Sequence, residues 1–148
     1  MTIKEIKLSE CVAVRLIALS KEWEREDSCY GYRSNSADDL KEKRVFVATD
    51  NDRICGYLFG HCTTTEKDTS IYKAGTACFE MDELYVKAQY RNRGIGKELF
   101  LYAEKAVSPD VDMIMLTAAA KNFRAVLHFY IDELGMEFWS ARLFKRIG

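Results

Sequence analysis

Ile6 and Leu8 flank Lys7 in the alternation of a short strand, and from Ser9 the period changes. Val12, Leu16, Leu19 and Trp23 fall at i, i+4, i+7 and i+11, one apolar stripe on an amphipathic helix that Ser9 caps. The end of that helix is acidic, with Glu22, Glu24, Glu26 and Asp27 around Arg25. Residues 28–35 are polar, with Tyr30, Gly31 and Tyr32 among them, and predict a loop. Ser36 with Asp39 resembles a capping box and opens a short helix to about Lys43. Residues 44–49 and 54–62 read as the strands of an antiparallel hairpin around Asp50-Asn51-Asp52, followed by an exposed polar loop over 63–73.

The strand predicted over 76–86 contains an anomaly. Phe79 and Met81 are apolar on odd positions, Leu84 and Val86 on even ones. A strand alternates with a period of two, so the change of phase needs one extra residue, and a β-bulge at Asp82-Glu83 supplies it. Glu80, Glu83 and Tyr85 then share a face, unless the phase change only marks a strand boundary. Beyond it, Ile95, Leu99, Tyr102 and Ala106 form a second helical stripe that stops before Ser108-Pro109. Residues 111–117 are nearly all apolar, as in a buried strand joined in parallel by a crossover helix. Asn122 precedes a further stripe of Phe123, Leu127, Tyr130 and Leu134, closed by Gly135. Residues 137–147 are rich in β-formers and are expected to complete the sheet. The expected fold is α/β (α+β), a mixed and mostly antiparallel sheet with one parallel βαβ unit and helices on both faces, in one domain over 1–148.

Composition narrows the function classes. The chain has 148 residues, enough to bury roughly two thirds of its unfolded surface. A net charge of −1 lacks the basic excess of a nucleic-acid binder, and no apolar run approaches a membrane span. The N-terminus lacks the apolar core of a signal peptide. The cysteines at 11, 29, 55, 62 and 78 form no C-x-x-C pair, and their odd number argues against a disulfide framework. His61 and His128 are too far apart in sequence to suggest a zinc site with them. The expectation is a cytoplasmic protein with reduced thiols and without a metal, nucleic-acid or membrane partner.

The chemical signal lies between the bulge and the second long helix. After Leu84-Tyr85-Val86 the chain runs through Arg91, Asn92, Arg93, Gly94, Ile95, Gly96 and Lys97 into a helix. The dinucleotide fingerprint fails because Leu99 stands where its third glycine belongs, and the P-loop fails at Arg91 and Glu98. The first amides of a helix have no internal partners, and its dipole places about half a positive charge there. Two glycines let a ligand approach the backbone, and Arg91, Arg93 and Lys97 add charge. A pyrophosphate fits that description, and so does a tight turn with solubilising arginines.

The turn Arg91-x-x-Gly94-x-Gly96 resembles the Q/R-x-x-G-x-G/A turn with which the GNAT N-acetyltransferases bind acetyl-coenzyme A. A second stretch, Asn122-x-x-Ala125-x-x-x-Phe129-Tyr130-x-x-x-Leu134-Gly135-Met136, is similar to that family's N-x-x-A-x-x-F-Y-x-x-x-G-F ending, with Leu134-Gly135 one residue late. Ala88 stands where proline is common and Met136 where phenylalanine is. The resemblance covers essentially the whole chain. It implies that backbone amides of Asn92 to Lys97 hold the pyrophosphate and that Leu84 and Val86 pair with the pantetheine amides. It also implies that Asn122 contacts the coenzyme and Tyr130 stands near the sulfur. A homodimer is compatible with it.

The implied reaction sets further demands. An alkyl amine with a pKa near 10.4 is neutral in only about one molecule per few thousand at pH 7. A general base is therefore needed, with Glu83 the first candidate and Glu80 the second. Amides of Leu84 to Val86 are the nearest donors for a developing oxyanion, and Tyr130 is the candidate donor to the leaving thiolate. Each has a plain alternative: Tyr130 as a core tyrosine, Glu83 as a solvated strand residue. His128 falls off the apolar stripe, on the surface. Glu22, Glu26 and Asp27, if not merely a solvated helix end, would attract a cationic acceptor together with Glu80. The expected activity is acetyl transfer from acetyl-coenzyme A to a primary amine by direct attack, on a small cation such as a polyamine or aminoglycoside. A protein N-terminal or lysine acetyltransferase, a non-catalytic coenzyme A-binding module and a nucleotide-binding protein are the alternatives.

Overall fold

A computed structural model describes residues 1–148. Strand β1 (Thr2–Ile6) leads to helix α1 (Glu10–Glu26), capped where the Val12 amide donates to Ser9 Oγ at 3.2 Å. Asp27 ends α1 in the left-handed conformation, φ 51°. Helix α2 is a single turn (Ala37–Leu40), opened where Asp39 Oδ2 accepts from the Ser36 amide at 2.8 Å; it stops short of Lys43. Strands β2 (Arg44–Asp50), β3 (Arg53–Thr64) and β4 (Ala77–Val86) form an antiparallel meander, and α3 (Ile95–Val107) crosses to β5 (Met113–Met115), parallel to β4. The sheet order is β1-β2-β3-β4-β5. Helix α4 (Phe123–Leu127) widens directly into a π-helical segment, His128–Glu133.

The run Val45-Phe46-Val47-Ala48 is apolar without alternation because both faces of β2 are covered. Val45 and Val47 join Leu16, Leu19 and Tyr57 under α1, while Phe46 and Ala48 join Leu58, Phe79, Leu99 and Phe100 under α3. The mixed, mostly antiparallel sheet and the helices on its two faces match the expectation from the sequence. The buried face of α3 is Ile95, Leu99, Phe100, Ala103 and Val107; Tyr102, expected on it, is exposed. The apolar residues of that helix span a wide arc, and the sheet takes the side centred on Phe100 and Ala103.

The bulge in β4 is present. Phe59 pairs with Glu83 and Gly60 with Met81, so Asp82 is the extra residue. Tyr57, Phe59 and His61 face Tyr85, Glu83 and Glu80 across the strands, so the three β4 residues share one face as the phase change predicted. Gly60 is required there: a Cβ would lie 2.3 Å from the Glu80 carbonyl oxygen and 2.6 Å from Phe79 Cζ. Pairing of β4 with β5 ends at Glu80–Met115, where β5 itself ends. Because the Lys87 amide donates to the Cys55 carbonyl at 2.8 Å, alternation turns the Tyr85 backbone toward β3 and those of Leu84 and Val86 toward the open edge.

Three expectations are corrected. Residues 137–147 form no strand, and the sheet closes at five. The last backbone hydrogen bond of the chain is from the Met136 amide to Tyr130, so no ladder takes up their β-propensity; Trp139 lies edge-on to Tyr72 and Phe144 to Tyr30 instead. Strand β5 is shorter than 111–117 and only half-buried, since nothing pairs with its outer edge. The apolar stripe predicted over 123–134 is interrupted by the π-helical segment, and Phe123 is exposed.

Gly60→Ala tests the bulge. Its methyl group has a backbone carbonyl in its path, so the substitution is expected to destabilise by about 2–3 kcal/mol and lower Tm by roughly 5 °C or more, measured by thermal denaturation.

Candidate active site

The turn after β4 is a short 3₁₀ segment, Ala88–Tyr90, followed by Asn92 at φ 62° and Gly94 at φ 79°. These left-handed residues turn the chain into α3 with its first amides outward. No backbone amide from Asn92 to Lys97 donates a hydrogen bond within the chain; the next, Glu98, donates to the Gly94 carbonyl at 3.0 Å. This row of free donors lies at the helix N-terminus where the sequence leads one to expect a pyrophosphate. Gly94 is fixed by its backbone angle, whereas Gly96 is not: a Cβ there would make only ordinary contacts, 3.6 Å to Phe129 and 3.7 Å to Val86. Alanine fits that position, in keeping with the G/A of the motif.

Arg91 is not one of the free cations of the turn. Its Nε donates to the Val86 carbonyl at 2.9 Å, its guanidinium pairs with Glu26 at 2.7 Å, and it lies over the Tyr85 ring at 5.3 Å. It ties the end of β4 to the end of α1. Glu26 also accepts a hydrogen bond from the Tyr85 hydroxyl. The acidic end of α1 has basic partners: Glu26 pairs with Arg91, Asp27 with Lys121 at 3.0 Å while staying largely exposed, and Glu22 lies 3.8 Å from Lys87. Arg93 lies over Tyr90, and Lys97 is exposed.

Between the open edge of β4 and α4 runs a cleft. Leu84, Val86, Gly96, Ala125, Val126, Phe129 and Tyr130 line one part of it; Trp23, Glu26, Cys29, Tyr85 and Asn122 line the adjoining part. Asn122 is exposed at its mouth, where it precedes α4. The Tyr130 ring packs against Phe100 and Phe129, yet its hydroxyl has no partner within the chain and is not sealed from solvent. Burial, with Cys29 nearby, raises the Tyr130 hydroxyl above the ordinary tyrosine range and keeps it protonated at neutral pH.

Glu83 lies at the bulge, on the α1 side of the sheet. Its Oε1 accepts three hydrogen bonds: from the Tyr57 hydroxyl at 2.8 Å, the Tyr32 hydroxyl at 3.0 Å and Asn35 Nδ2 at 3.0 Å. Burial nevertheless pushes the carboxyl above its ordinary range; these donors oppose that shift, and the Asp82 charge adds to it. Glu80, on the same face, is also raised, by burial and then by Asp82. Asp82 itself is held by Lys43 Nζ at 2.7 Å and lies 2.9 Å from His61 Nδ1. His128 is on the surface beside Asp132, as its place off the stripe indicated.

The sequence reading missed Tyr32, Asn35 and Tyr57. A usable signal existed for Tyr57: it alternates with Phe59 on an inward face, and a buried tyrosine hydroxyl needs a partner. No such pattern marks Tyr32 and Asn35, which reach Glu83 from a loop.

Comparison with known proteins identifies the fold and the family. Among solved structures, a tetramutant of the BH1408 protein of Bacillus halodurans superposes with a TM-score of 0.71 at 19% identity, covering 99% of this chain and 100% of that one. An aminoglycoside acetyltransferase from an uncultured soil metagenomic sample, in complex with sisomicin, gives a TM-score of 0.67 at 17% identity over 99% and 97%. The aminoglycoside N-acetyltransferase AAC(6')-Iy, in complex with CoA, gives 0.65 at 13% identity over 99% of both chains. At these identities the likeness establishes the fold. No curated protein sequence matches the chain. The profile of the acetyltransferase (GNAT) family matches residues 13–136. The chain, with its free amides before α3 and its open β4 edge, belongs to the GNAT acetyltransferase family.

Proposed function

We propose that this protein transfers an acetyl group from acetyl-coenzyme A to a primary amine by direct attack, its acceptor a small cation such as a polyamine or an aminoglycoside. One observation carries the reading: the free amides of Asn92 to Lys97, the open edge at Leu84 and Val86 and the Glu83 carboxylate lie along β4 and its turn, with the Tyr130 hydroxyl facing that edge from the π-helical segment after α4. The residues fit the coenzyme. Free amides and a helix N-terminus suit a pyrophosphate, and unpaired strand backbone suits the amides of pantetheine.

Acetyl-coenzyme A, when bound, supplies the acyl group as a thioester, activated for attack by an amine. Glu83 removes one proton from the ammonium form of the acceptor, directly or through a water, and leaves a nitrogen lone pair for the new C–N bond. The Leu84 to Val86 edge offers backbone donors to the charge developing on the carbonyl oxygen. As the C–S electrons leave with sulfur, Tyr130 gives that sulfur its hydroxyl proton. The surplus proton on nitrogen passes through solvent and restores Tyr130, and Glu83 later releases its own to solvent. Holding both reactants in one cleft supplies more of the rate than either proton transfer. On the acceptor side, Glu80 and Glu83 supply negative charge on β4, and aminoglycoside acetyltransferases of the same fold support a cationic acceptor. The free thiols of all five cysteines suit a cytoplasmic setting.

Thiol release from acetyl-coenzyme A, assayed with spermidine, sisomicin, free amino acids and short peptides, tests the reaction. Turnover is expected with at least one polyamine or aminoglycoside. Turnover on peptides alone would transfer the reading to a protein acceptor, and none at all would leave a binding module. Glu83→Gln and Tyr130→Phe are expected to lower kcat by about 10²- to 10⁴-fold with little change in coenzyme affinity.

Glycine 96 separates the cradle from the fold. Gly96→Ala is expected to keep both the fold and coenzyme A binding. Gly96→Asp places a carboxylate at a helix N-terminus, which the helix favours and a pyrophosphate does not. It should keep its Tm but lose the stabilisation that coenzyme A gives the wild type, about 2.7 kcal/mol at a hundred times Kd.

The raised Glu83 pKa also makes a stability prediction. A carboxyl whose folded pKa lies above its unfolded one favours the folded state while protonated, and that contribution is lost as pH rises through the folded value. Glu83→Gln keeps an oxygen for the three donors without the buried charge. It is expected to be at least as stable as wild type at pH 7–8, with the advantage vanishing near pH 4 in denaturation measured against pH.

A further inference from the structure

The three hydrogen bonds to Glu83 all go to one oxygen. Oε1 accepts from Tyr32, Asn35 and Tyr57, while Oε2 accepts from nothing in the chain. No buried side-chain oxygen or nitrogen lacks a partner, so Oε2 is not sealed in; solvent reaches it. The carboxylate is thus divided into an anchored oxygen and a free one. Packing alone gives no reason for this arrangement, because three donors spread over two oxygens would satisfy a carboxylate at least as well.

The donors are themselves held. Tyr57 rises from β3 with its side chain fully buried. Tyr32 stacks on Trp23 of α1 at 4.3 Å between ring centroids. The Asn35 amide donates to Ser20 Oγ at 3.0 Å, and that hydroxyl donates to the Ile17 carbonyl at 2.7 Å; Ser20 is the one fully buried polar side chain of the core. Next to it the Ser34 amide donates to Glu24 Oε1 at 2.9 Å. Helix α1 therefore fixes the loop that carries Tyr32 and Asn35, and the loop fixes Glu83. Burial raises both phenols above the ordinary tyrosine range, so they remain donors throughout the neutral pH range.

We propose that Tyr32, Asn35 and Tyr57 are positioning residues of the transfer reaction, holding Oε1 of Glu83 so that Oε2 alone faces the acceptor and takes its proton. The inference rests on the reading of Glu83 as the general base. It gives the loop between α1 and α2 a role in proton transfer, since the acceptor's base is set by two residues of that loop. The three donors favour the ionised form of the carboxylate, so they also set the pH below which the base is lost. The other groups facing this region are Asp82 and Glu80 on β4, with Lys43 before β2 and His61 on β3 pairing Asp82.

The test is kcat/KM against pH for wild type, Tyr32→Phe, Asn35→Ala and Tyr57→Phe, with acetyl-coenzyme A and the fastest acceptor of the panel. Each variant loses one donor to an ionised oxygen, so its acidic limb is expected to move up by roughly one pH unit. The drop should appear in kcat, with KM for acetyl-coenzyme A unchanged within about twofold. Tyr32→Phe and Tyr57→Phe keep the rings, and Tyr32, half-exposed on the loop, reads out the effect even if Tyr57→Phe fails to fold. Acidic limbs that overlay the wild type in the folded variants overturn the positioning role while leaving the base in place, provided Glu83→Gln is inactive. Wild-type turnover by Glu83→Gln overturns the base reading and this inference with it.

Discussion

The extra residue in β4 is the constraint on which the site depends. Asp82 breaks the period-two alternation between Met81 and Glu83. The consequences are coupled. Glu83 stays on the α1 face beside Tyr57 and Tyr85, while Met81 and Leu84 are added to the core on the α3 side. Past the last β4–β5 pair, at Glu80 and Met115, the backbone of Leu84 and Val86 is left without a neighbouring strand. Gly60 enters the same arrangement because no side chain larger than hydrogen clears the Glu80 carbonyl.

A second device joins the two halves of the site. Arg91, from the turn that the sequence marks as an anion cradle, is spent on the Val86 carbonyl and on Glu26. Glu26 in turn takes the Tyr85 hydroxyl, and Tyr85 stacks with Trp23, which stacks with Tyr32. The end of α1 is thereby tied both to the turn before α3 and, through Trp23, to the loop that carries Tyr32. The free donors of that turn are backbone amides, which need no countercharge of their own and are fixed in place by Asn92 and Gly94.

Much of this was legible in the sequence, and the reasons are physical. A strict period of two makes a single inserted residue visible, so the phase change between Met81 and Leu84 located the bulge. Glycine at a left-handed position before a helix is a local signal, so the turn at Gly94 could be read as well. The acidic end of α1 could not: a run of charges carries no record of its partners, and Arg91 is 65 residues from Glu26. The donors to Glu83 were hidden for the same reason, 26, 48 and 51 residues away along the chain. The stretch 137–147 misled because β-propensity expresses itself only where a ladder partner exists, and here the aromatic side chains meet Tyr30 and Tyr72 instead.

Glu83 is a carboxylate that the fold keeps partly desolvated at the bulge of β4. Titration of the Glu83 carboxyl carbon by NMR in the wild-type protein measures that directly. Burial at the bulge predicts a midpoint above 4.5, the ordinary value for glutamate. A midpoint at or below 4.5 would contradict it, since Glu83 would then be a solvated or fully compensated carboxylate with no special claim to the proton of an amine.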